Sequence, residues 1–180
     1  IRPSRGLGDV YKRQMLAFIF TDFAIDKDIL ASFTKRAVDE SFNRISVDGD
    51  TSTSDTVFVC TTNKRNLEIT TEQRLKALDK FYIELKNAMV DLAKKIVMDG
   101  EGAKKFIEIR VKNSKSIQRA KKICFSIANS LLVKTAIAGE DANWGRIIMA
   151  VGKSGQPANR DKIKIHIGDE KAVSYTHLTL

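Results

Sequence analysis

The sequence predicts an α/β fold in which strands and helices pack as layers, and three observations support this. Two short, continuous apolar runs, at residues 15–21 and 56–61, are typical of strands buried on both faces. Residues 71–98 repeat apolar side chains at steps of three and four, which is the period of an amphipathic helix. Strand and helix patterns alternate along the rest of the chain. Because the connections are long enough for either parallel or mixed pairing, the strand order stays open.

The composition is that of one globular domain without a membrane segment. The 180 residues are 43% hydrophobic and 29% charged, and no apolar run approaches the ~20 residues that cross a bilayer. The N-terminus lacks the apolar region of a secretory signal. Cys60 and Cys124 lie in apolar segments without disulfide or zinc spacing. We therefore predict two buried thiols, a cytoplasmic protein and no metal site.

The net charge of +9 does not by itself indicate nucleic-acid binding. Residues 1–14 supply part of it, and the remainder is spread along helices that also carry acids. A clustered basic face with aromatic platforms is not visible. We therefore favour a solvated surface, and keep a basic nucleic-acid-binding module as an alternative.

The two ends differ from the chain between them. Residues 1–14 have no helical or strand period, and residues 173–180 continue neither the strand pattern nor the turn before them. Both resemble translated adaptor read-through from a sequencing library. We predict that both ends are non-native and that the folded domain spans residues 15–172. Disordered native tails are the alternative.

Capping residues predict where the helices begin. Asp26 is placed to cap a helix before the second strand, and Thr70 with Gln73 forms a capping box at the start of the long helix. Ser116 is placed to cap a third helix, and Asp141 a short one. The apolar stripe of the long helix, which we assign to the core, consists of Leu75, Leu78, Tyr82, Leu85, Met89, Leu92 and Ile96.

The pattern also predicts how the second half of the chain ends its elements. The third helix is predicted to continue to residue 139, and Gly152 to end the short helix. Residues 162–167 alternate between apolar and polar side chains, which predicts a final strand.

The turn at residues 99–102 carries the candidate binding residue. Glu101 lies between Gly100 and Gly102, which allow positive φ and leave space around one carboxylate. A plain helix C-cap beside a solvated acid is the alternative that spacing alone favours. A strand is predicted after the turn, and its inward side chains are Ile107, Ile109 and Val111.

The polar loop at residues 46–55 could offer oxygen ligands to Ca²⁺ from Asp48, Asp50 and Thr53. It lacks the glycine and the terminal glutamate that an EF-hand places at set positions. We therefore favour a turn held by its own side-chain hydrogen bonds.

Four segments in this order resemble one family: residues 15–19 (MLAFI), 41–53 (SFNRISVDGDTST), 99–103 (DGEGA) and 133–147 (VKTAIAGEDANWGRI). They are similar to the β chain of ornithine acetyltransferase, the bifunctional glutamate N-acetyltransferase and amino-acid acetyltransferase of arginine biosynthesis. The resemblance covers about residues 15–170. It implies the layered fold of a self-processing, N-terminal-nucleophile-like acetyltransferase, of which this chain is a part.

The resemblance also implies a mechanism and partners. The family's precursor cuts itself before a threonine, whose hydroxyl takes acetyl from N-acetylornithine, or from acetyl-CoA in bifunctional members, and passes it to glutamate. An α chain of the same precursor supplies oxyanion donors, and two α and two β chains assemble. No further cofactor, nucleic acid or membrane is implied. The family's substrate-binding glutamate falls on Glu101, which would pair with a substrate amino group. Residues 48–55 and 141–146 match family segments, but we assign them no chemistry.

One departure from the family pattern concerns the nucleophile. The family has threonine directly before Met-Leu, whereas Gln14 stands there in this sequence. An amide can neither attack a carbonyl nor drive self-cleavage. The α chain and a C-terminal segment with further substrate contacts are also missing from these residues. We therefore predict no catalytic residue in this chain, and no turnover by it alone.

Two other hypotheses stay open. A related self-processing aminopeptidase or amidase would use water in place of glutamate as the acceptor, so product analysis with and without glutamate would separate the two. A non-catalytic assembly subunit is the other hypothesis, because Gln14 would be compatible with it.

Overall fold

The structure, a computed structural model, describes residues 15–50, 54–65, 70–159 and 162–174. Its contacts divide the chain into two compact units, one holding the described residues up to 45 and from 50 to 99, the other holding 46–49 and those from 100 onward. The mixture of helices and strands confirms the α/β class. In chain order the elements are β1 (Leu16–Phe23), α1 (Lys27–Glu40), a 3-10 turn (Phe42–Arg44), β2 (Thr56–Arg65), α2 (Thr71–Met98), α3 (Ile117–Ala128), α4 (Leu131–Ala138), α5 (Trp144–Lys153), β3 (Lys164–Ile167) and β4 (Glu170–Ser174).

In the first unit, β1 and β2 pair in parallel, which settles a question that the sequence left open. The register places Leu16 opposite Thr56 and Phe20 opposite Cys60, and it shifts after Thr21. A parallel pair needs a crossover connection, and α1 lies within it. One face of the pair packs on α1 and α2 around a core of Ala37, Leu85 and Met89, with Ile19, Val57 and Val59 against it.

Both predicted caps of this unit are confirmed. The Asp26 carboxylate accepts the N–H of Asp28 at 2.8 Å and so begins α1. At the start of α2, Thr70 Oγ1 accepts the N–H of Gln73 at 3.3 Å, and Gln73 Oε1 accepts the N–H of Thr70 at 3.0 Å. The 28-residue helix begins and ends as its pattern predicts. The prediction that Leu75 belongs to the core is wrong, because this residue is 60% exposed. The core takes its α2 side chains from Phe81 onward.

Truncation of Met89 is expected to destabilise this unit strongly. Its side chain is fully buried, so Met89→Ala would leave a cavity and lower the free energy of unfolding by about 2–5 kcal/mol. Leu75→Ala on the same helix is the matched control and should change it by no more than about 0.5 kcal/mol. Urea titration followed by circular dichroism measures both. Equal effects of the two substitutions would contradict the packing described here.

The prediction that β1 and β2 are buried on both faces is wrong for one face. Phe18 and Phe58 stack at 5.2 Å between ring centroids, yet their exposed fractions are 54% and 45%. Cys60 is exposed too, so the prediction of two buried thiols is wrong for it. The apolar run predicted a covering layer on each side, and no described element covers this one. Its side chains, which we call the aromatic sheet face, are Leu16, Phe18, Phe20, Phe58 and Cys60.

The second unit is built from α3, α4 and α5 around Ile127, Val133 and Ala150. β3 and β4 form an antiparallel hairpin, whose turn contains Gly168 at φ +62°. β3 confirms the final strand that the alternation predicts. β4 is an addition to the predicted elements, and it ends at Ser174.

Two helix predictions in this unit need correction. The predicted third helix is two helices, because α3 ends at Ala128 with Asn129 as its C-cap, and Ser130 Oγ accepts the N–H of Val133 at 3.4 Å to begin α4. Asn143, rather than Asp141, caps α5 by accepting the N–H of Arg146 at 3.2 Å. The last helix then runs through Gly152 to its end at Lys153.

The predicted strand after the 99–102 turn is not formed in the structure, where residues 103–112 have no regular secondary structure. Two of its three apolar side chains nevertheless point inward as predicted, because Ile109 packs against the core of the second unit and Val111 is half-buried. Ile107 is 41% exposed, so its predicted inward position is wrong. A two-residue period predicts extended backbone, but it does not supply the neighbouring strand that makes a sheet.

Candidate functional site

The turn that carries Glu101 has a well-defined backbone. Ala103 donates its N–H to the carbonyl of Gly100 at 2.9 Å, which closes a four-residue turn with Glu101 and Gly102 at its centre. Gly102 has a φ of +71°, the conformation that a type II turn requires at its third position and that glycine adopts most easily. Gly100 is not among the glycines with positive φ. Of the two glycines that were predicted to allow positive φ, only Gly102 adopts it.

The Glu101 side chain stands in open surroundings. The residue is exposed, and a Cβ added at neighbouring Gly102 would meet no atom within 4 Å. Among the described residues, no hydrogen bond or ion pair involves the Glu101 carboxylate. An acid in this state can accept charge-assisted hydrogen bonds from a cationic ligand without first breaking an internal bond.

Lys105 anchors the chain just after this turn. Its Nζ donates to the carbonyl of Ile137 at 2.9 Å and pairs with Glu140 at 2.9 Å. This ammonium therefore lies at the C-terminal end of α4, where the helix dipole favours a positive charge. The hydrogen bond and charge of Lys105 lower the pKa of the Glu140 carboxyl. The pair ties the segment that follows Glu101 to α4.

The polar side chains of the turn at residues 141–146 make hydrogen bonds within the local fold. Asn143 Nδ2 donates to Asp141 Oδ2 at 3.0 Å while its Oδ1 caps α5. Arg146 Nη1 donates to the carbonyl of Leu132 at 2.9 Å and to Thr135 Oγ1 at 3.1 Å. These bonds hold the corner between α4 and α5, so the polar side chains are occupied in folding contacts.

Residues 46–49 are held against the junction of α3 and α4. Ser46 Oγ donates to Asn129 Oδ1, and Lys134 Nζ donates to the carbonyl of Val47 at 3.1 Å. Gly49 has φ +99°, and a Cβ there would come within 3.4 Å of Asn129 Cγ. The positive φ therefore favours glycine at this position.

The calcium alternative concerns the loop at residues 46–55, and two of its proposed ligands, Asp48 and Asp50, lie within the described residues. Thr53, one of its three proposed ligands, lies among residues 51–53, which are outside the described residues. Within the described ranges, the structure has no group of three or more His, Cys, Asp or Glu side chains that could hold a metal ion. The same ranges contain no helix that is both long and apolar enough to span a bilayer.

The position expected for the nucleophile, Gln14, also lies outside the described residues, but the residue after it does not. Met15 donates its N–H to Asp55 Oδ1 at 2.9 Å, and its carbonyl accepts the N–H of Thr56 at 2.9 Å. Both polar backbone groups of Met15 are thus bound. Asp55 could not be identified as this contact from the sequence, because the pattern shows it only as one acid of a polar loop.

A second polar cluster lies between α1 and α2 in the first unit. Tyr82 donates its O–H to Glu40 Oε1 at 3.0 Å, and the Arg36 guanidinium lies 4.2 Å from the centre of the Tyr82 ring. Burial and the acceptor Glu40 raise the pKa of the Tyr82 phenol. The phenol therefore stays protonated near neutral pH and joins the two helices, a structural contact.

Comparisons with known proteins agree on one family. The sequence profile of the ArgJ family matches residues 9–178. The arginine biosynthesis bifunctional protein ArgJ of Brucella suis is 49% identical over 158 residues, which cover 86% of this chain and 38% of that protein. The protein of the same name from Bradyrhizobium diazoefficiens is 47% identical over 157 residues, covering 84% and 37%.

A solved structure is also similar. The crystal structure of arginine biosynthesis bifunctional protein argJ from Bacillus halodurans aligns with a TM-score of 0.82 at 44% identity, covering 89% of this chain and 75% of that one. The chain thus spans about 38% of the length of the relative from Brucella suis.

Proposed function

The chain belongs to the ArgJ family, and from this premise we propose that it is part of an enzyme that transfers acetyl from N-acetylornithine to glutamate in arginine biosynthesis. Acetyl-CoA is a second donor in bifunctional members. The observation that carries the proposal is the alignment with the argJ crystal structure at 44% identity over 89% of this chain. We place the enzyme in the cytoplasm.

The proposed chemistry proceeds through an acyl-threonine. A threonine hydroxyl at position 14 attacks the acetyl carbonyl of N-acetylornithine, the amide C–N bond breaks, and ornithine leaves with the proton from the hydroxyl. The amine of glutamate then attacks the ester, which forms N-acetylglutamate and returns the proton to the threonine oxygen. Oxyanion donors of the α chain stabilise the negative oxygen in both steps. Because this sequence has Gln14 at that position, the polypeptide alone should not turn over N-acetylornithine.

Glu101 is the proposed substrate contact. Its carboxylate would accept hydrogen bonds from the protonated amino group of the amino-acid substrate. Support comes from its exposure and from the absence of a competing partner among the described residues. The type II geometry of its turn and the anchor at Lys105 hold the backbone on which the carboxylate is carried.

The aromatic sheet face supports the proposal of an α-chain partner. Three phenylalanines and a leucine of this face are 45–74% exposed, an unusual concentration of apolar surface for a sheet. More than half of the relative from Brucella suis lies outside the region that this chain matches. We propose that the α chain of the same precursor packs a sheet against this face, as two stacked sheets do at about 10 Å, and that two α and two β chains assemble.

The two cysteines provide a direct measurement of this packing. In the chain without its partner, Cys60 should react with iodoacetamide at least about tenfold faster than Cys124, whose thiol is half-buried and has a pKa raised by burial. Addition of the α chain should slow alkylation of Cys60 and leave Cys124 unchanged. Mass spectrometry of the alkylated peptides gives both rates. An unchanged alkylation rate of Cys60 in the assembled protein would show that the α chain packs against another surface.

The reaction is tested by product analysis of a precursor that carries a native α chain and threonine at position 14. Incubation with N-acetylornithine and glutamate should form N-acetylglutamate in proportion to the ornithine released. Release of free acetate at the same rate with or without glutamate would instead identify a self-processing amidase.

A further inference from the structure

We propose that Asp55 is a positioning residue for the reaction, because its carboxylate accepts the N–H of Met15, the residue that follows the position of the proposed nucleophile. This inference rests on the proposed function, since it concerns the placement of a nucleophile at position 14. The observation behind it is the 2.9 Å hydrogen bond from the N–H of Met15 to Asp55 Oδ1.

The bond lies where the parallel ladder has not yet begun. The first paired residues of the two strands are Leu16 and Thr56, so Met15 precedes the regular pairing of β1. Its carbonyl is nevertheless held by the N–H of Thr56 at 2.9 Å. The Asp55 side chain supplies the second contact, so consecutive residues of one strand bind both polar backbone groups of Met15.

The backbone around Asp55 makes a local hydrogen bond. Thr56 Oγ1 donates to the carbonyl of Ser54 at 3.0 Å, a bond that spans Asp55 and closes the turn before β2. A carboxylate acceptor also forms a stronger and shorter hydrogen bond with an amide than a neutral oxygen does. The contact is therefore built from a fixed turn and a charged group.

Covalent geometry carries the effect to position 14. The nitrogen of Met15 and the carbonyl of the preceding residue belong to one planar peptide group. In a precursor with threonine at position 14, a fixed direction of the Met15 N–H would restrict rotation of that plane and therefore the position of the attacking hydroxyl. An error of about 1 Å in the position of a reacting group is enough to lower a rate by about 10²-fold.

The test uses the complete precursor with a native α chain and Gln14→Thr as the parent. Asp55→Ala in this precursor should slow self-cleavage and lower kcat for acetyl transfer by about 10–100-fold, while KM for N-acetylornithine changes by no more than about threefold. Asp55→Asn keeps an oxygen in the same place and should retain kcat within about fivefold of the parent. Asp91→Ala, an exposed acid on α2, is the matched control and should behave as the parent.

The outcomes separate this inference from the proposed function. A parent without acetyl transfer overturns both. An active parent whose kcat and self-cleavage are unchanged by Asp55→Ala overturns only the role of Asp55, and so does an asparagine variant as impaired as the alanine variant. If Asp55→Ala does not fold, Asp55→Glu replaces it in the test. The longer side chain displaces the acceptor oxygen, so kcat of Asp55→Glu should be lower than kcat of Asp55→Asn. A higher kcat for Asp55→Glu than for Asp55→Asn would overturn the inference.

Discussion

Replacement of Gln14 by threonine, in a precursor that carries a native α chain, is expected to raise acetyl transfer from N-acetylornithine to glutamate by about 10³-fold or more. The reason is chemical: a hydroxyl can attack the acetyl carbonyl and hold the acetyl group as an ester, whereas the amide of glutamine can do neither. N-acetylglutamate formed per enzyme and minute, measured by mass spectrometry, gives the rate. The same precursor with Gln14 provides the baseline.

Self-cleavage supplies a second readout of the same substitution. The threonine precursor should separate into two chains on a denaturing gel, and the glutamine precursor should stay in one piece. Gln14→Val is the shape control, because valine resembles threonine but carries no hydroxyl, and it should remain uncut and inactive. Equal acetyl transfer by the glutamine and threonine precursors would show that position 14 does not supply the nucleophile.

Glu101→Ala in the active precursor is expected to lower kcat/KM for N-acetylornithine by about 10–100-fold, which corresponds to the loss of one charged hydrogen bond worth ~1.5–3 kcal/mol. Glu101→Gln should recover part of this loss, since the amide oxygen can still accept a hydrogen bond but carries no charge. Initial rates over a range of substrate concentrations give both constants.

The structure also predicts what Glu101→Ala should leave intact. The residue is exposed, and its carboxylate has no partner among the described residues, so the free energy of unfolding should change by no more than about 0.5 kcal/mol. Glu84→Ala, at another exposed glutamate, controls for the general loss of one surface charge and should leave kcat/KM unchanged. Equal kinetics for the Glu101 and Glu84 variants would remove Glu101 from the proposed site.

Features fixed by local interactions could be predicted from the sequence. The caps at Asp26 and Thr70 are short-range hydrogen bonds between a side chain and the next turn of backbone, so the residue types suffice. The length of α2 follows from a sustained period and a glycine turn after its end. The positive φ of Gly102 follows from turn chemistry in the same way.

Features that depend on distant parts of the chain could not be predicted. The continuous apolar runs that contain Phe18 and Phe58 show that these side chains favour burial, but they do not show whether a covering element belongs to this chain. The break between α3 and α4 could not be predicted from the apolar pattern, because apolar residues continue through it. Ser130 is nevertheless a residue type that commonly caps a helix. The choice of Asn143 over Asp141 depends on the corner that Arg146 closes, a contact across two helices.

The exposed phenylalanines also bear on how such a protein could be made in a cell. A chain released alone with this surface uncovered would tend to stick to its own copies or to other unfolded polypeptides. If the proposed α chain covers this face, synthesis of both halves as one polypeptide that is cut only after folding would keep the covering half tethered at an effective concentration on the order of millimolar. In that order of events the aromatic sheet face would be covered before the two products can diffuse apart. Late cleavage would then protect against aggregation as well as expose a reactive terminus.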